Sequence, residues 1–297
     1  MVETTQALAR RIDTTHELRS IVRTMKALAA VSIRQYEQAV VALDDYRRTV
    51  DLALRAALGP AAMPETLTAP GDGKVLTVVF GSDYGLCGRF NQEVVHFAKE
   101  EFDRRRIAFD DVVHLAVGIR AAARLDAAGA RLVRSFVLPG SVDGLTRLAE
   151  DLLLEIDRER RQRPIGRILL VHNHNAPGTT AAPMAAQLLP LDPVWLAELR
   201  ARPWPSRRLP SHTMDRSDLL RALVRQHLFL GLFRAAARSA ASEHATRLAA
   251  MQAAERNIDE HLDEMTGAYR RQRQAAITSE LLDVVSGFEA LTAAEPS

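Results

Sequence analysis

Twelve of the thirteen prolines lie between Pro60 and Pro210, while residues 1–59 and the 85 residues from Ser211 to Glu295 contain none. A proline inside a helix costs about 3 kcal/mol, because it removes a backbone donor and its ring strikes the preceding turn. The distribution therefore predicts two long helices flanking a loop-rich middle domain, with segments at 1–59, 71–206 and 211–297. The first segment carries Val22, Met25, Ala29, Ser32, Tyr36, Ala39, Leu43, Tyr46, Val50 and Ala53 at unbroken intervals of three and four, the spacing of a coiled-coil seam. Its small members let a partner helix approach closely, and Gly59-Pro60 is a helix stop. Ile258, Leu262, Met265 and Tyr269 repeat at 4-3-4 in the last segment, and Ile277, Leu281, Val284 and Phe288 do so again after a slip of one residue. The partner helix is thus expected in the same chain, giving an antiparallel coiled coil. At 1.5 Å per residue the helices would measure roughly 85 and 110 Å, so the last outlasts the first by about 20 residues. From about Gln272 onward it is expected to run alone, with Ile277, Leu281, Val284, Val285 and Phe288 needing a covering partner.

The middle segment alternates in type. Apolar, β-branched runs at 74–80, 112–117, 131–138 and 167–172 are separated by helical stretches near 91–106, 119–128 and 143–162. Strand, helix, strand in succession predicts a mostly parallel sheet with helices on its faces, hence an α/β fold. A further run, QLLPL at 187–191, is expected at an edge or in a hairpin, since Pro190 cannot donate to a central ladder.

The first of these runs leads into FGSDYGLCGRFN at 80–91, with Gly81, Gly85 and Gly88 at the carboxyl end of a strand, where a doubly wound sheet binds nucleotides. The spacing G-x-x-x-G-x-x-G is neither the P-loop nor the dinucleotide fingerprint, and no Lys-Ser or Lys-Thr pair follows. Asp83 inside the loop would repel phosphate, and the second strand ends without a carboxylate to hold a ribose. A tight turn is the better reading. HNHN at 172–175 and Glu93-x-x-His96 carry metal-capable side chains, but neither has the further ligands a metal centre needs. No nucleophile with its base and orienting acid can be singled out. Arg104–Arg106 and the run at 158–163 fit helix C-termini, where cations offset the dipole. A formal charge of +2 makes no case for nucleic acid as a partner, one cysteine excludes an internal disulfide, and no run is apolar enough to enter a bilayer.

The last segment narrows this from class to family. SEHATRLAAMQAAERN at 242–257 and YRRQRQAAITSELLDVVSG at 269–287 closely resemble the C-terminal helix of the F-type ATP synthase gamma subunit. Ser242, Glu243, Ala245, Arg247, Ala250, Met251, Ala253, Ala254, Asn257, Arg273, Gln274, Ala275, Ile277, Thr278, Glu280, Leu281 and Gly287 agree with that family's pattern. The glycine loop is similar to its D-R-G-L-C-G-x-x-N through Asp83, Gly85, Leu86, Cys87, Gly88 and Asn91, and QLLPL recurs there. The first helix keeps Arg11, Ile12, Ile21, Met25, Ala29, Ala30 and Arg34. Tyr84 replaces the loop arginine, and Phe288 stands where a small residue is expected. These departures leave both the housekeeping branch and the divergent N-type ATPases open.

The resemblance implies a Rossmann-like domain that binds no nucleotide or other cofactor, joined to a coiled coil that acts as the central rotor shaft. It implies a non-catalytic subunit on the cytoplasmic face of a bacterial inner membrane, partnering an alpha-three beta-three hexamer, epsilon and the membrane c-ring, the last two through the middle domain and residues 207–215. Arg273, Gln274 and Thr278 match positions that bond a beta-subunit catch loop; Val22, Met25, Ala29, Ile258, Leu262 and Met265 form the seam. Arg221, Arg225, Arg234, Arg238 and Arg247 are expected to face acidic loops of beta. A nucleotide-binding enzyme and an unrelated coiled-coil adaptor are the alternatives.

Overall fold

The computed structural model describes residues 4–58, 73–208 and 210–292, with side chains described through residue 286. In chain order the elements are α1 (Thr5–Leu58), β1 (Lys74–Phe80), α2 (Phe90–Arg104), β2 (Val113–Val117), α3 (Ile119–Ala127), β3 (Arg131–Phe136), α4 (Asp143–Gln162), β4 (Ile165–Ala176), β5 (Thr179–Leu189), α5 (Pro193–Ala201) and α6 (Arg216–Thr292). The helix stop at Gly59-Pro60, the boundaries at 59 and 71, and the Phe288 side chain lie outside the described residues. The chain divides into two compact units, residues 29–249 and residues 1–28 together with 250–297.

The larger unit is built on one sheet of order β3-β2-β1-β4-β5. β1 pairs in parallel with β2, Leu76 opposite Val113, and with β4, Leu76 opposite Ile168; β3 extends the parallel set beyond β2. Pro177-Gly178 then turns the chain into β5, antiparallel to β4 with His172 opposite Met184. Gly178 has φ of +82°, a left-handed conformation that a proline-glycine turn supplies without strain. Thus QLLPL belongs to a hairpin strand at the sheet edge, and Pro190 falls just past its end.

Alternation along the strands sorts side chains to two covered faces. Leu76, Val78 and Phe80 of β1 with Leu115 and Val117 of β2 pack under α4, the second half of α1 and the first part of α6, where Leu54, Leu152, Leu232 and Ala237 are buried. Val75 and Val79 point the other way, with Ala116 and Val171, against Val94 and Phe102 of α2 and Leu125 of α3. Because most strands are buried on both faces they read as continuous apolar runs, as parallel sheets require. Within this unit α1 and α6 run antiparallel: Tyr46 donates to Gln226 at 3.0 Å, Tyr36 stacks on His244 at 5.7 Å, and Arg216 donates to the carbonyls of Ala57, at 2.8 Å, and Leu58. Of the predicted seam positions here, Ala29, Tyr36 and Val50 are buried, whereas Tyr46 is exposed and Leu54 is fully buried beside half-buried Ala53.

The smaller unit is an antiparallel helix pair. Arg23 and Lys26 meet Glu255 at 2.8 and 2.5 Å, and Arg19 meets Asp259 at 2.7 Å. Stepping four residues back along α1 matches four residues forward along α6. Leu8, Met251 and Leu262 are buried in this pair; Val22, Met25, Ile258 and Met265 are half-buried. Among the described residues no helix is long and apolar enough to cross a membrane.

Candidate partner-binding surfaces and the loop after β1

The glycine loop is filled by its own chain. Asp83 Oδ1 accepts from the N–H of Ile119 at 2.9 Å and Oδ2 accepts from the N–H of Leu138 at 2.7 Å. One carboxylate thus caps the positive end of α3 and ties down the segment after β3. Asn91 closes the turn from the other side, accepting from Ser82 N at 2.9 Å and donating to Ser82 Oγ at 2.7 Å. Gly81 and Gly118 are required by crowding. A Cβ on Gly81 would meet Ala121 Cβ at 2.3 Å, and one on Gly118, at φ of +98°, would meet Ser82 N at 2.6 Å. Cys87 is buried beside Ser82, and its thiol is pushed up chiefly by that burial.

Opposite this loop, two turns of α6 carry nearly all the polar bonds that fix the helix to the sheet. Ser242 donates to Thr180 O at 2.6 Å, Thr246 to Thr180 Oγ1 at 3.2 Å, Ser239 to Phe80 O at 3.4 Å, and Arg247 to Glu243 at 2.5 Å and to Gly85 O at 3.4 Å. The SEHATR stretch is therefore the key that docks α6 on the α/β layer. Sequence reasoning had set Arg247 among outward-facing cations; it is instead only 7% exposed. The Glu-x-x-x-Arg spacing, one helical turn, was the available signal. The rest of the band differs in exposure: Arg221 and Arg225 are exposed, and Arg234 and Arg238 are half-buried. Arg225 pairs with Asp157 at 2.6 Å, Arg221 with Asp218 at 3.4 Å, and Arg234 is half-buried near Arg238, Arg47 and Asp44.

Further along α6 the character changes. Beyond Gln272 the described side chains through Ser286 are all exposed. Ile277, Leu281, Leu282, Val284 and Val285 among them are 49–69% exposed. α1 supplies no match here: the pairing of Arg19 with Asp259 brings Thr5 opposite about residue 273. Gln274 and Thr278, one turn apart, line a shallow groove with Arg271, Ala275, Ser279 and Leu282. Thr278 donates to Gln274 O at 2.9 Å, which leaves its hydroxyl lone pairs as acceptors. Arg273 lies about 100° around the helix, so the three do not share one face. The surface offers a guanidinium, an amide and a hydroxyl beside an apolar stripe, the chemistry of a wet polar rim around a hydrophobic contact.

Among the described residues no cluster of three or more His, Cys, Asp or Glu is placed to hold a metal. His172 and His174 bond to the carbonyls of Asn173 and Ala182, both at 2.8 Å, and His96 bonds to Glu100.

The family model for ATP synthase matches residues 4–291. The chain belongs to the ATP synthase gamma chain family. Its relatives include the ATP synthase gamma chains of Granulibacter bethesdensis, 31% identical over 96% of this chain and 99% of the relative, and of Bdellovibrio bacteriovorus, 27% identical over 95% and 96%. Its fold is similar to a chain in the Euglena gracilis mitochondrial ATP synthase OSCP/F1/c-ring structure, with a TM-score of 0.64, 18% identity and coverage of 97% of this chain and 95% of that one. It is also similar to a chain of the Tetrahymena thermophila central stalk and c-ring, with a TM-score of 0.54, 19% identity and coverage of 79% and 99%.

Proposed function

We infer that the chain is the central rotor shaft of an F-type ATP synthase or ATPase, coupling ion flow through a membrane c-ring to ATP synthesis or hydrolysis at the beta subunits. The observation that carries this is the stretch of α6 beyond residue 272, a single helix bearing apolar side chains 49–69% exposed next to Arg273, Gln274 and Thr278. Such a surface calls for a sleeve around it. In this reading the sleeve is the upper bore of an alpha-three beta-three hexamer. The three polar residues bond the beta catch loop, each contact worth about 1.5–3 kcal/mol where desolvated and less where wet. Val22, Met25, Ala29, Ile258, Leu262 and Met265 hold the coiled-coil seam. An asymmetric shaft turning inside three beta subunits offers each a different face, and only such differential contact can change their nucleotide affinities in sequence.

The chain itself is a non-catalytic subunit, peripheral on the cytoplasmic face of a bacterial inner membrane. Its α/β unit and the segment before α6 meet epsilon and the c-ring. The Asp83 carboxylate on the N-terminus of α3 supports a structural role for the glycine loop over phosphate binding. The test is co-expression with alpha and beta subunits of the same genome, comparing wild type with a truncation ending at Arg271. Co-purification and ATP hydrolysis by wild type, impaired by the truncation, are expected. A wild-type chain that neither co-purifies nor alters hydrolysis overturns the reading in favour of an unrelated adaptor.

A further inference from the structure

Between α5 and α6 the chain carries a run of charge of one sign. From Leu199 to Met214 there are four arginines, Arg200, Arg202, Arg207 and Arg208, and no aspartate or glutamate, with Glu198 and Asp215 marking the two ends. Apart from half-buried Trp204, the side chains described from Arg200 to Asp215 are exposed. Arg202, Arg207 and Arg208 form no ion pair among the described residues. In the run at 104–106, by contrast, Arg104 and Arg105 both bond Glu101, at 2.5 and 2.6 Å. The turn before α6 is held from within. Trp204 Nε1 and Ser206 Oγ each donate to Arg208 O at 2.8 Å, and Arg208 N donates back to Ser206 Oγ at 3.3 Å. The Arg55 guanidinium of α1 covers the Trp204 ring at 5.3 Å, and Pro203 and Pro205 fix two further backbone angles. These restraints use backbone atoms, a serine and the indole, and leave the guanidiniums of Arg202, Arg207 and Arg208 to the surface. A cluster organised in advance loses little conformational entropy when an anion meets it.

We propose that the turn at 202–208 docks on the anionic phospholipid headgroups of a bilayer surface. A short turn exposed along its length presents its cations to a plane, and headgroups that diffuse within that plane gather beneath them. A nucleic acid would call for a longer basic stripe or a free aromatic platform, and the one indole here lies under Arg55 with its N–H engaged. The same restraints keep Trp204 from inserting, so the contact is made at headgroup level. Each arginine held at an anionic surface raises the apparent affinity about fivefold, and salt screens the effect. The rotor reading puts the segment before α6 at the membrane end of the shaft; the proposal rests on that reading for its setting and deepens it by naming the lipid surface as a partner.

The experiment sediments the full chain with vesicles of phosphatidylcholine alone and of phosphatidylcholine with about a quarter phosphatidylglycerol. Wild type is expected to bind the anionic vesicles only, and less as salt rises. Arg207→Gln with Arg208→Gln should bind about 30-fold more weakly. Arg120→Gln with Arg124→Gln, which removes the same charge from exposed positions on α3, should bind as wild type does. All four side chains are exposed, so both double variants are expected to keep the tryptophan fluorescence of the folded chain. Absence of wild-type binding to the anionic vesicles overturns the proposal. So does undiminished binding by R207Q/R208Q, or an equal loss in R120Q/R124Q, which would make the effect one of net charge. Binding of double-stranded DNA as tight as that of the vesicles at the same salt overturns the choice of lipid. Sedimentation needs no other subunit: a chain that binds vesicles but does not co-purify with alpha and beta subunits keeps this proposal and loses the rotor reading, and the converse result does the reverse.

Discussion

Replacing Asp83 with alanine removes the acceptor of two backbone N–H groups at once, those of Ile119 and Leu138, at 2.9 and 2.7 Å. Hydrogen bonds to an ionised group are worth about 1.5–3 kcal/mol each, and the half-buried position of Asp83 lets water recover part of that. Loss of the negative charge at the start of α3 adds a few tenths more. The sum is a destabilisation of about 2–4 kcal/mol confined to the unit of residues 29–249. Both tryptophans, Trp195 and Trp204, lie in that unit, Trp195 packed against its core and Trp204 under the guanidinium of Arg55. Tryptophan fluorescence in urea therefore follows this unit. At a slope of about 2–3 kcal/mol per molar the midpoint should fall by about 1–2 M. Asp83→Asn, which keeps one acceptor oxygen and points an N–H₂ at the second donor, should lose at least half as much. A D83A midpoint within about 0.2 M of wild type would refute the claim that this carboxylate holds the loop, α3 and the end of β3 together.

Four other outcomes follow from the same structure. Gly118→Ala combines φ of +98° with a Cβ 2.6 Å from Ser82 N, so a loss of about 2 kcal/mol or more is expected in the fluorescence assay. Leu232→Ala, at a fully buried position on α6, should cost about 2–5 kcal/mol there. Lys26 and Arg23 hold the Glu255 carboxyl down from 4.5 to about 2. Its stabilising contribution is thus complete above 4.5 and lost as pH falls through about 2, and an NMR carboxyl titration should show that midpoint returning towards 4.5 in the R23A/K26A double variant. Leu281→Ser with Leu282→Ser, at side chains each 61% exposed, should leave folding within about 0.5 kcal/mol of wild type yet reduce co-purification with alpha and beta subunits.

The long helices were legible because two signals agree: absence of proline permits them, and a 3-4 apolar rhythm gives them a face to bury. The parallel strands were legible because burial on both faces makes them continuous apolar runs. β5 was read only at its end, since TTAAPMAAQLL is rich in alanine and carries Pro183; its pairing with β4 comes from the Pro177-Gly178 turn and the sheet edge it covers rather than from its own propensity. α5 was missed although Asp192-Pro193 is a start signal, with Asp192 accepting from Val194 N at 2.9 Å. Arg247 was misplaced because charge alone suggests exposure, whereas its environment is set by a loop more than 150 residues away in sequence. Arg273, Gln274 and Thr278 came from resemblance; the fold adds that they stand on an exposed helix, with Gln274 and Thr278 on one groove and Arg273 turned from it.

The central claim is that this chain turns as a shaft. The most direct measurement immobilises an alpha-three beta-three complex containing the chain with Val194→Cys, an exposed position at the start of α5, and attaches a bead through that thiol. Continuous rotation in one direction on addition of ATP, lost in the truncation ending at Arg271, is the expected result. A complex that hydrolyses ATP at the wild-type rate while the bead stays still would contradict the account.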